Sequence, residues 1–557
     1  MSFSKKKFFA LNLIAFSFLA FVITPCFVQA ASFERSFFVN SNYDFSSSEM
    51  IDAQLLKTTN KIYFYVQKDW YQNLDPLLKN QLNNKLSEIA NIFENQFYPK
   101  ITNLLTTEDL PGIDNDSRLI VVLEKLKNDF GGYVRTNDHL PKSISPDSNE
   151  GQIVFLNAEA LLTNPSSVSS YYLTHEFTHL ITLKAKPEME VFLSEMLAES
   201  SAFFLDPDVS RSLLLKRANQ LLSTTSLNFN LWQEKSFDYA KVHFLSLYLK
   251  EQFGEEIFKD ILFSSKNGFL AIEEAVQKRN PSLDLDDLMT DFLITLVLND
   301  CSVNKKYCFT DQSLTNFSVL PYSYYLPTKG QVAMTVTDSV SKMEGKWQKI
   351  TGGNGLLKLK FILPEGTPIK KIPYLLIDSN NRKTLNFLDF SRTNIQEITV
   401  LNFGSQYQSL IFIPYLGKEA KDNQSYYYAW EVKILPQSEV SEEQVKTELL
   451  KQIADLKRQV AVLQERLAYL LTVKQQPICS NFNSDLSYGM TSNEVKCLQQ
   501  FLANLGEDIY PEKLVTGYYG PLTEAAVKRY QGLKGIMATG YFGPLTRAVA
   551  NQQIRIP

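Results

Sequence analysis

The sequence predicts a multidomain protein with a mixed α+β domain, an all-β sandwich-like domain, a coiled-coil helix and a small three-helix domain. Three observations support this division. The chain of 557 residues is too long for a single hydrophobic core. Near residue 310 a mixed helix and strand pattern gives way to short runs rich in Tyr, Phe, Ile and Thr. A heptad pattern and an internal repeat then close the chain. We therefore divide the sequence into five segments, which are residues 1–30, 31–310, 311–437, 440–473 and 478–551.

Residues 1–30 are predicted to be a secretory signal peptide. Lys5, Lys6 and Lys7 precede an almost unbroken apolar run, and small residues around Ala30 fit a cleavage site. The alternative is a retained membrane anchor, because the run is near the lower length limit for a span. We therefore expect a secreted, extracellular protein.

The charge of the chain argues against nucleic acid as a partner. There are 56 basic and 60 acidic residues, a net charge of −4. A nucleic-acid-binding domain usually shows a strong excess of Lys and Arg, and this sequence shows none.

Four cysteines follow residue 30, an even number in an exported chain. Of the three connectivities, local pairing of Cys301 with Cys308 and of Cys479 with Cys497 is favoured, since each pair closes a short loop. Free buried thiols are the alternative. The spacings do not resemble a cysteine-rich zinc site.

Residues 31–310 alternate between strand and helix patterns. The β-rich runs Lys61–Val66, Arg118–Leu123 and Ile153–Leu156 predict strands, and Leu78 to Phe97 has helical spacing. From Pro165 onward the pattern predicts a series of helices up to about residue 298. The domain is therefore α+β.

Two of the four histidines lie in the motif His-Glu-x-x-His. On a helix, His175 and His179 are one turn apart on one face, so both imidazoles can reach a single metal ion. Glu176 lies about 100° around the helix, where its carboxylate can contact a metal-bound water. The motif predicts a catalytic Zn²⁺ site with Glu176 as general base, once a third ligand is found. The alternative is two histidines that pack in an ordinary helix.

Two carboxylates on the next apolar helix are candidates for that ligand. Glu195 and Glu199 are four residues apart and share a face, among Met, Leu, Ala and Phe residues. Two acids that face a buried region need a strong reason, such as a cation. A solvated acidic stripe is the alternative.

This arrangement resembles the gluzincin, or thermolysin-like, zinc metallopeptidases. Their pattern is His-Glu-x-x-His followed by a glutamate ligand on the next helix and, four residues later, an acid that orients the first histidine. The resemblance implies that Glu195 is the third ligand and that Glu199 is the orienting acid. Asp238-Tyr239-Ala240-Lys241 resembles the helix whose tyrosine stabilises the oxyanion in the membrane aminopeptidases, which implies that role for Tyr239. Val242 replaces the family's glycine, and His243, one turn later, is a second candidate.

The surrounding sequence resembles the hyicolysin-type and immune-inhibitor-type secreted bacterial metallopeptidases. The resemblance extends over about residues 60–260 and includes Gly131-Gly-Tyr-Val134 and Ser148 to Leu156. It implies a thermolysin-like fold in which an edge strand binds the substrate backbone, and Ile153 to Leu156 is the candidate strand.

Two further segments follow the α+β domain. Residues 311–437 alternate in short β-rich runs typical of a sandwich, as a spacer or a substrate-positioning domain. In 440–473, apolar residues recur in steps of four and three, with Ile453, Val460 and Leu467 at a and leucines at d. This heptad seam favours a parallel homodimer through residues 445–471. A helix folded back on a neighbouring domain is the alternative.

The final segment contains a repeat. Val515-Thr-Gly-Tyr-Tyr-Gly-Pro-Leu-Thr is echoed by Ala538-Thr-Gly-Tyr-Phe-Gly-Pro-Leu-Thr, each a Gly-Pro turn followed by a helix. Together with the motifs at 494–499 and 526–531, residues 478–551 resemble the peptidoglycan-binding module of cell-wall hydrolases. The aromatic rings that could stack on sugars are those of Tyr518, Tyr519, Tyr541 and Phe542. A core-filling role for these rings is the alternative.

Together these features predict a secreted zinc endopeptidase attached to the bacterial cell wall, acting on protein or peptide substrates. A wall hydrolase that cuts peptidoglycan peptides is a second hypothesis. A non-catalytic wall-bound scaffold is a third, and the intact set of predicted ligands argues against it.

Overall fold

The computed structural model describes residues 32–127, 131–204, 207–222, 224–330, 332–472 and 481–554. The predicted signal peptide at 1–30 lies outside the described residues. Within them, no helix has both the length and the apolar character needed to cross a membrane.

The N-terminal part contains a six-stranded sheet. Its strands are β1 Glu34–Phe38, β2 Met50–Thr58, β3 Ile62–Gln67, β4 Leu119–Glu124, β5 Gly132–Tyr133 and β6 Ile153–Asn157. Their order is β1-β2-β3-β4-β6-β5, with β3, β4 and β6 parallel and the others antiparallel to their neighbours. The central strands are continuous runs of Val, Ile, Leu and Phe because both of their faces are buried.

The strand at the edge of this sheet is not the one that the sequence predicted. Strand β6, predicted as the substrate-binding edge, pairs with β4 on one side and β5 on the other. Every residue of β6 is buried. The edge strand next to β6 is the short β5, where Tyr133 stacks on Phe155 with ring centroids 4.7 Å apart. The prediction for Ile153–Leu156 is therefore wrong.

Helices cover the sheet and continue into a helical region. Their bounds are α1 Lys68–Gln72, α2 Pro76–Ile92, α3 Tyr98–Leu104, α4 Ala158–Thr163, α5 Ser166–Ala185, α6 Val191–Glu199, α7 Pro207–Leu222, α8 Ser236–Phe253, α9 Ile257–Leu262, α10 Gly268–Gln277 and α11 Leu285–Leu298. Helices α5 and α8 are buried on most of their circumference. A helix that is buried on all sides is usually hydrophobic around its whole circumference. The buried polar residues of α5 depart from this pattern, which suggests that they have a function.

Strands β7 to β18 form the next region. Their bounds are β7 Ser226–Asn228, β8 Tyr322–Leu326, β9 Val332–Ser341, β10 Glu344–Lys346, β11 Gln348–Gly352, β12 Gly355–Ile362, β13 Lys371–Asp378, β14 Lys383–Asp389, β15 Ile395–Phe403, β16 Tyr407–Phe412, β17 Tyr415–Leu416 and β18 Ser425–Leu435. The larger sheet has two groups of strands. One group contains β14, β13, β16, β11 and β8, and the other contains β15, β12, β18 and β9. The two groups are joined where Phe403 of β15 pairs with Tyr407 of β16. Phe361, Phe412 and Trp430 pack together in the core of this region.

The helical and β regions share buried contacts. Strand β10 pairs with β7, which lies between α7 and α8, and with β17. Trp347 is fully buried, and its indole N–H donates to the carbonyl of Leu293 at 3.1 Å. Lys383 Nζ donates to the last carbonyls of α11 at Val297 and Leu298. One hydrophobic core extends from the sheet around β3 and β4 to Tyr415.

One predicted disulfide is confirmed. Cys301 and Cys308 are bonded, with Cα atoms 5.0 Å apart. Cys497 is also disulfide-bonded, and Cys479, its predicted partner, lies outside the described residues.

A long helix follows the β region. Helix α12 spans Glu442–Thr472, close to the predicted 440–473. Its seam residues are exposed in the single chain, namely Leu449, Ile453, Leu456, Val460 and Leu463. The predicted pairing of two such helices stays a prediction.

The C-terminal module has its own core. Its helices are α13 Asn493–Asn504, α14 Pro521–Leu533 and α15 Pro544–Ile554. Tyr519 and Phe542 are fully buried there. Their rings therefore fill the core and offer no face to a sugar, which corrects the prediction for these two residues. Tyr541 remains 45% exposed, and Tyr518 is half-buried.

Candidate metal centre

Helix α5 carries the His-Glu-x-x-His motif along the floor of a cleft. His175 and His179 project from the same face, and their ring centroids are 5.0 Å apart at an interplanar angle of 81°. The cleft has a volume of about 790 Å³. Its walls come from the edge strand β5, the segment that follows α5, helices α6 and α7, and the start of α8.

Helix α6 completes a group of three ligand atoms. Glu195 Oε2 lies 3.3 Å from His175 Nε2, and Glu195 Oε1 lies 3.6 Å from His179 Nε2. One ligand atom from each of the three residues lies within 4.8 Å of the others. Two imidazoles and a carboxylate form a donor set that suits a divalent transition metal such as zinc. Glu199, the other candidate, is not in this group.

The polar atoms of this group have few other partners. Glu195 Oε2 is buried, and among the described residues no donor reaches it with hydrogen-bond geometry. Burial alone would raise the pKa of Glu195, but the adjacent His179 and His175 lower it to about 2. A buried carboxylate without a bonded proton donor is costly unless a cation compensates it. The residues present therefore fit a metal ion.

Each histidine also has a polar group behind it. His179 Nδ1 lies 2.9 Å from Ser194 Oγ, at hydrogen-bond distance. His175 Nδ1 is buried, has no hydrogen-bond partner in the part of the chain that the structure describes, and lies 3.9 Å from Glu199 Oε1. Groups in these positions fix the orientation of metal-bound imidazoles. The position of Glu199 is compatible with its predicted orienting role.

Glu199 is fully buried and bonded from three sides. Tyr171 Oη donates to Glu199 Oε1 at 2.9 Å, and Arg217 donates to both carboxylate oxygens. His243 Nδ1 lies 2.9 Å from Glu199 Oε2. Burial would raise the pKa of Glu199, but the charge of Arg217 and the bond from His243 hold it well below its usual range. Glu199 is therefore an ionised group within the protein.

The structure corrects the prediction for His243. This residue is 2% exposed, its Nδ1 faces Glu199, and it does not line the cleft. A donor to an oxyanion must reach the reacting atoms. His243 instead supports Glu199 from behind.

Glu176 lines the cleft next to the metal ligands. Burial raises the pKa of Glu176 to about 8. Gly132 of the edge strand lies against it, because a Cβ at this position would come within 3.1 Å of Glu176 Cγ and 2.6 Å of the Phe155 carbonyl. Glycine is thus the residue that lets the edge strand approach the base closely.

Tyr239, at the start of α8, also lines the cleft. Its ring centroid is 6.5 Å from that of His175 and 5.4 Å from that of Trp232. Burial, together with the charges of Glu195 and Glu176, raises the pKa of Tyr239, so its hydroxyl keeps its proton. The predicted oxyanion role of Tyr239 stays a prediction.

Several residues of the site were missed by the sequence reasoning. Ser194, Tyr171 and Arg217 contact His179 or Glu199. Tyr43, from the loop after β1, and Glu234, before α8, line the cleft and share a hydrogen bond. Ser194 is adjacent to a predicted ligand, which was a usable signal. The others come from distant segments and have no motif of their own.

The comparison with protein families identifies the C-terminal module. Residues 491–549 match the family described as "Putative peptidoglycan binding domain". The chain therefore carries a peptidoglycan-binding domain near its C-terminal end, which supports association with the cell wall. No curated protein matches the chain significantly.

Two solved structures share local similarity with the chain. One, "Crystal structure of Yersinia pseudotuberculosis-derived mitogen (YPM)", has 11% identity and a TM-score of 0.15, and covers 20% of this chain and 96% of that chain. The other concerns carbohydrate-binding modules of the β-sandwich superfamily, with 10% identity, a TM-score of 0.13 and coverage of 18% of this chain and 52% of that chain. TM-scores this low assign no fold to the chain.

Proposed function

We propose that this protein is a secreted zinc endopeptidase of the gluzincin type, held at the cell wall by its C-terminal module. The observation that carries the proposal is the approach of His175, His179 and Glu195 to one point beside Glu176 in a cleft. Glu195 Oε2, buried without a hydrogen-bond partner, adds support because a cation would compensate it.

The chemistry of the cleft suits amide hydrolysis. Zinc, when bound by the three ligands, supplies Lewis acidity that polarises a carbonyl and acidifies water. The Glu176 carboxylate takes the proton of the attacking water and returns it to the leaving amine. The Tyr239 hydroxyl donates to the developing oxyanion, a contact worth roughly 10²–10³ in rate.

The shape of the cleft supports internal cleavage of a chain. Cleft residues lie on both sides of the ligand group along α5, with Tyr172 on one side and Leu183 and Lys186 on the other. The edge strand β5 runs along the wall next to Glu176. An extended polypeptide adds to such an edge through main-chain hydrogen bonds. The substrate then extends past the ligands in both directions, as an endopeptidase requires.

The remaining domains place this activity at the wall. The C-terminal module binds peptidoglycan, and Tyr541 and Tyr518 are the predicted sugar-stacking rings that keep exposed surface. The exposed seam of α12 joins two chains in a parallel pair. Such a dimer presents two wall-binding modules and so gains avidity.

A second candidate is a wall hydrolase that cuts the peptides of peptidoglycan. The match of residues 491–549 favours it, because the binding module brings the cleft to that polymer. A non-catalytic scaffold is the third candidate, and the buried, unsatisfied carboxylate of Glu195 argues against it.

Digestion assays separate the three candidates. The purified protein is incubated with casein and with purified peptidoglycan, each with and without a chelator. Chelator-sensitive cleavage of casein is the expected result. Release of peptides from peptidoglycan alone would favour the wall hydrolase, and no cleavage of either substrate would contradict both enzymatic proposals.

Metal analysis tests the site itself. The unmodified protein and Glu176→Gln should each contain one zinc ion per chain, while Glu195→Ala should lose it. Glu176→Gln should also lose activity by several orders of magnitude. Stoichiometric zinc in Glu195→Ala would contradict the ligand assignment, and full activity of Glu176→Gln would contradict the mechanism.

A further inference from the structure

The cleft extends well beyond the ligand group. Tyr172 and Leu183, both on α5, line it at opposite ends. At a rise of 1.5 Å per residue, these two positions are about 16 Å apart along the helix axis. Because an extended peptide advances about 3.3 Å per residue, roughly five substrate residues lie along this floor. Side chains away from the cleaved bond therefore contact the walls.

Most charged groups on the walls are already bonded within the protein. The Lys186 ammonium donates to the carbonyls of Ser264 and Lys266. Arg217 is bound to Glu199, and Glu234 accepts a hydrogen bond from Tyr43 across the cleft. These groups are occupied before a substrate arrives.

Lys216 differs from them. It lines the cleft and its side chain is exposed. Within the part of the chain that the structure describes, its ammonium forms no ion pair or hydrogen bond. It precedes Arg217 on α7, and Gln220, one turn later, lines the same wall.

The end of the cleft that Lys216 occupies follows from its neighbour. Arg217 and Tyr171 both bind Glu199, so this part of α7 lies on the Tyr171 side of the ligand group. The opposite end is formed by Leu183, Met189 and Val191. A substrate thus meets the exposed cation Lys216 at one end and, at the other, apolar side chains together with Lys186, whose ammonium is already bonded to backbone carbonyls.

We propose that Lys216 forms a subsite for a carboxylate of the substrate. The protein then prefers polypeptides with an acidic residue on the Tyr171 side of the cleaved bond, a preference that rests on the proposed peptidase function. An ammonium without an ion-pair partner among the described residues provides the charge and the N–H donors that a carboxylate takes.

Peptide binding to an inactive background tests this subsite directly. Glu176→Gln protein loaded with zinc is titrated with pairs of fluorescent peptides that differ only in Glu or Gln at one position. We expect roughly 3- to 5-fold tighter binding of the Glu peptide at low salt, the range of an exposed ion pair. The preference should weaken as salt rises, because the site is open to solvent.

Substitutions on α7 identify the group responsible. In the same background, Lys216→Gln should abolish the preference and Lys216→Glu should reverse it toward peptides with Lys. Arg211→Gln is the matched control, since Arg211 is an exposed cation of the same helix that does not line the cleft. It should leave the preference unchanged.

The outcomes are distinct from those of the digestion assays. Equal binding of Glu and Gln peptides, a preference that survives Lys216→Gln, or no binding of any peptide would each overturn the subsite. Failure of the peptidase proposal is read separately, as absence of turnover by the unmodified zinc-loaded protein. Either proposal can fail while the other measurement gives a clear answer.

Discussion

At the scale of single residues, Glu199 is the most consequential buried group outside the ligand set. Its carboxylate is fully buried between α5, α7 and α8, and contacts Tyr171, Arg217 and His243. A buried charge is tolerated when it is paired and its lone pairs are bonded. The stability of the packing between α5, α7 and α8 therefore depends on keeping the ion pair between Glu199 and Arg217 intact.

Arg217→Met tests that dependence. The substitution keeps an unbranched apolar stem but removes the cation, so Glu199 keeps only the bonds from Tyr171 and His243. We expect the free energy of unfolding to fall by about 3–5 kcal/mol, the usual cost of leaving one partner of a buried pair uncompensated. Urea unfolding followed by circular dichroism measures the change.

Two further variants show whether the charge causes this loss. Lys216→Met removes the neighbouring, exposed cation and should change the free energy of unfolding by less than about 0.5 kcal/mol. Arg217→Met combined with Glu199→Gln should recover part of the loss, because no uncompensated charge is then buried. Equal losses in the single and double variants would contradict this explanation.

The residues of the ligand group differ in how far sequence could place them. His175, Glu176 and His179 are fixed relative to one another by the helix repeat, so their spacing alone predicted a shared face. Glu195 required a resemblance to known enzymes as well as its position on the next helix. Arg217 and Tyr171 reach Glu199 from separate helices, and nothing in their local sequence encodes that meeting.

At the scale of elements, the C-terminal repeat is built around two buried glutamines. Gln499 of α13 binds Thr516, the carbonyl of Tyr518 and Thr523. Gln531 of α14 makes the equivalent contacts with Thr539, Tyr541 and Thr546, which follow it. Each glutamine thus connects a helix to the next Thr-Gly turn and to the threonine at the start of the next helix.

Gln531→Ala should disrupt the second of these units. The side-chain amide also accepts from the Gly540 N–H, so its loss leaves several buried groups without partners. At about 1–3 kcal/mol for an unsatisfied buried group, we expect the module to lose about 3 kcal/mol or more. Thermal unfolding measures this loss.

Gln500→Ala is the control, because the amide of Gln500 bonds to Asn504 at the surface. This substitution should have little effect on stability. Equal losses in the two variants would contradict the role of Gln531.

Helix α12 gives a prediction about assembly. Leu449, Ile453, Leu456, Val460 and Leu463 are each more than 40% exposed in the single chain. Pairing two such seams buries them, so the full chain should sediment as a dimer in analytical ultracentrifugation. Leu456→Glu places a charge in the seam and should give monomers, whereas Arg458→Glu, on the outer side of the heptad, should not. A monomeric unmodified chain would instead favour a helix that serves as a linker.

Whether a segment forms a strand or a helix was easier to predict than which other elements lie beside it. Hydrophobic periodicity indicated β3, β4, β6 and α12, because it depends only on adjacent residues. The edge position of β5 depends on pairing between strands that are distant along the chain. The sequence pattern of two or three residues around Gly132 could not reveal it.

At the scale of the whole molecule, the composition change near residue 310 does not interrupt the buried contacts. Strand β10 of the β region pairs with β7 of the helical region. Gly345 of β10 lies against Leu293, since a Cβ there would come within 2.3 Å of that side chain. The β region therefore supports the helices behind the candidate metal centre, in addition to any role as a spacer.

The length of chain needed for folding follows from these contacts. A chain of residues 32–436 keeps the buried contacts of the shared core and should fold and bind zinc, whereas a chain of residues 32–310 should aggregate. The shorter chain exposes the surface that Trp347 covers, and burying an aromatic side chain of this size contributes about 3 kcal/mol. It also leaves β7 without its partner strand and the last carbonyls of α11 without Lys383. Size-exclusion chromatography and zinc content measure both chains. Because the C-terminal module has a separate core, its removal from the full chain should abolish sedimentation with peptidoglycan and leave cleavage of casein unchanged. A folded 32–310 chain with bound zinc would show that the β region is dispensable to the metal centre.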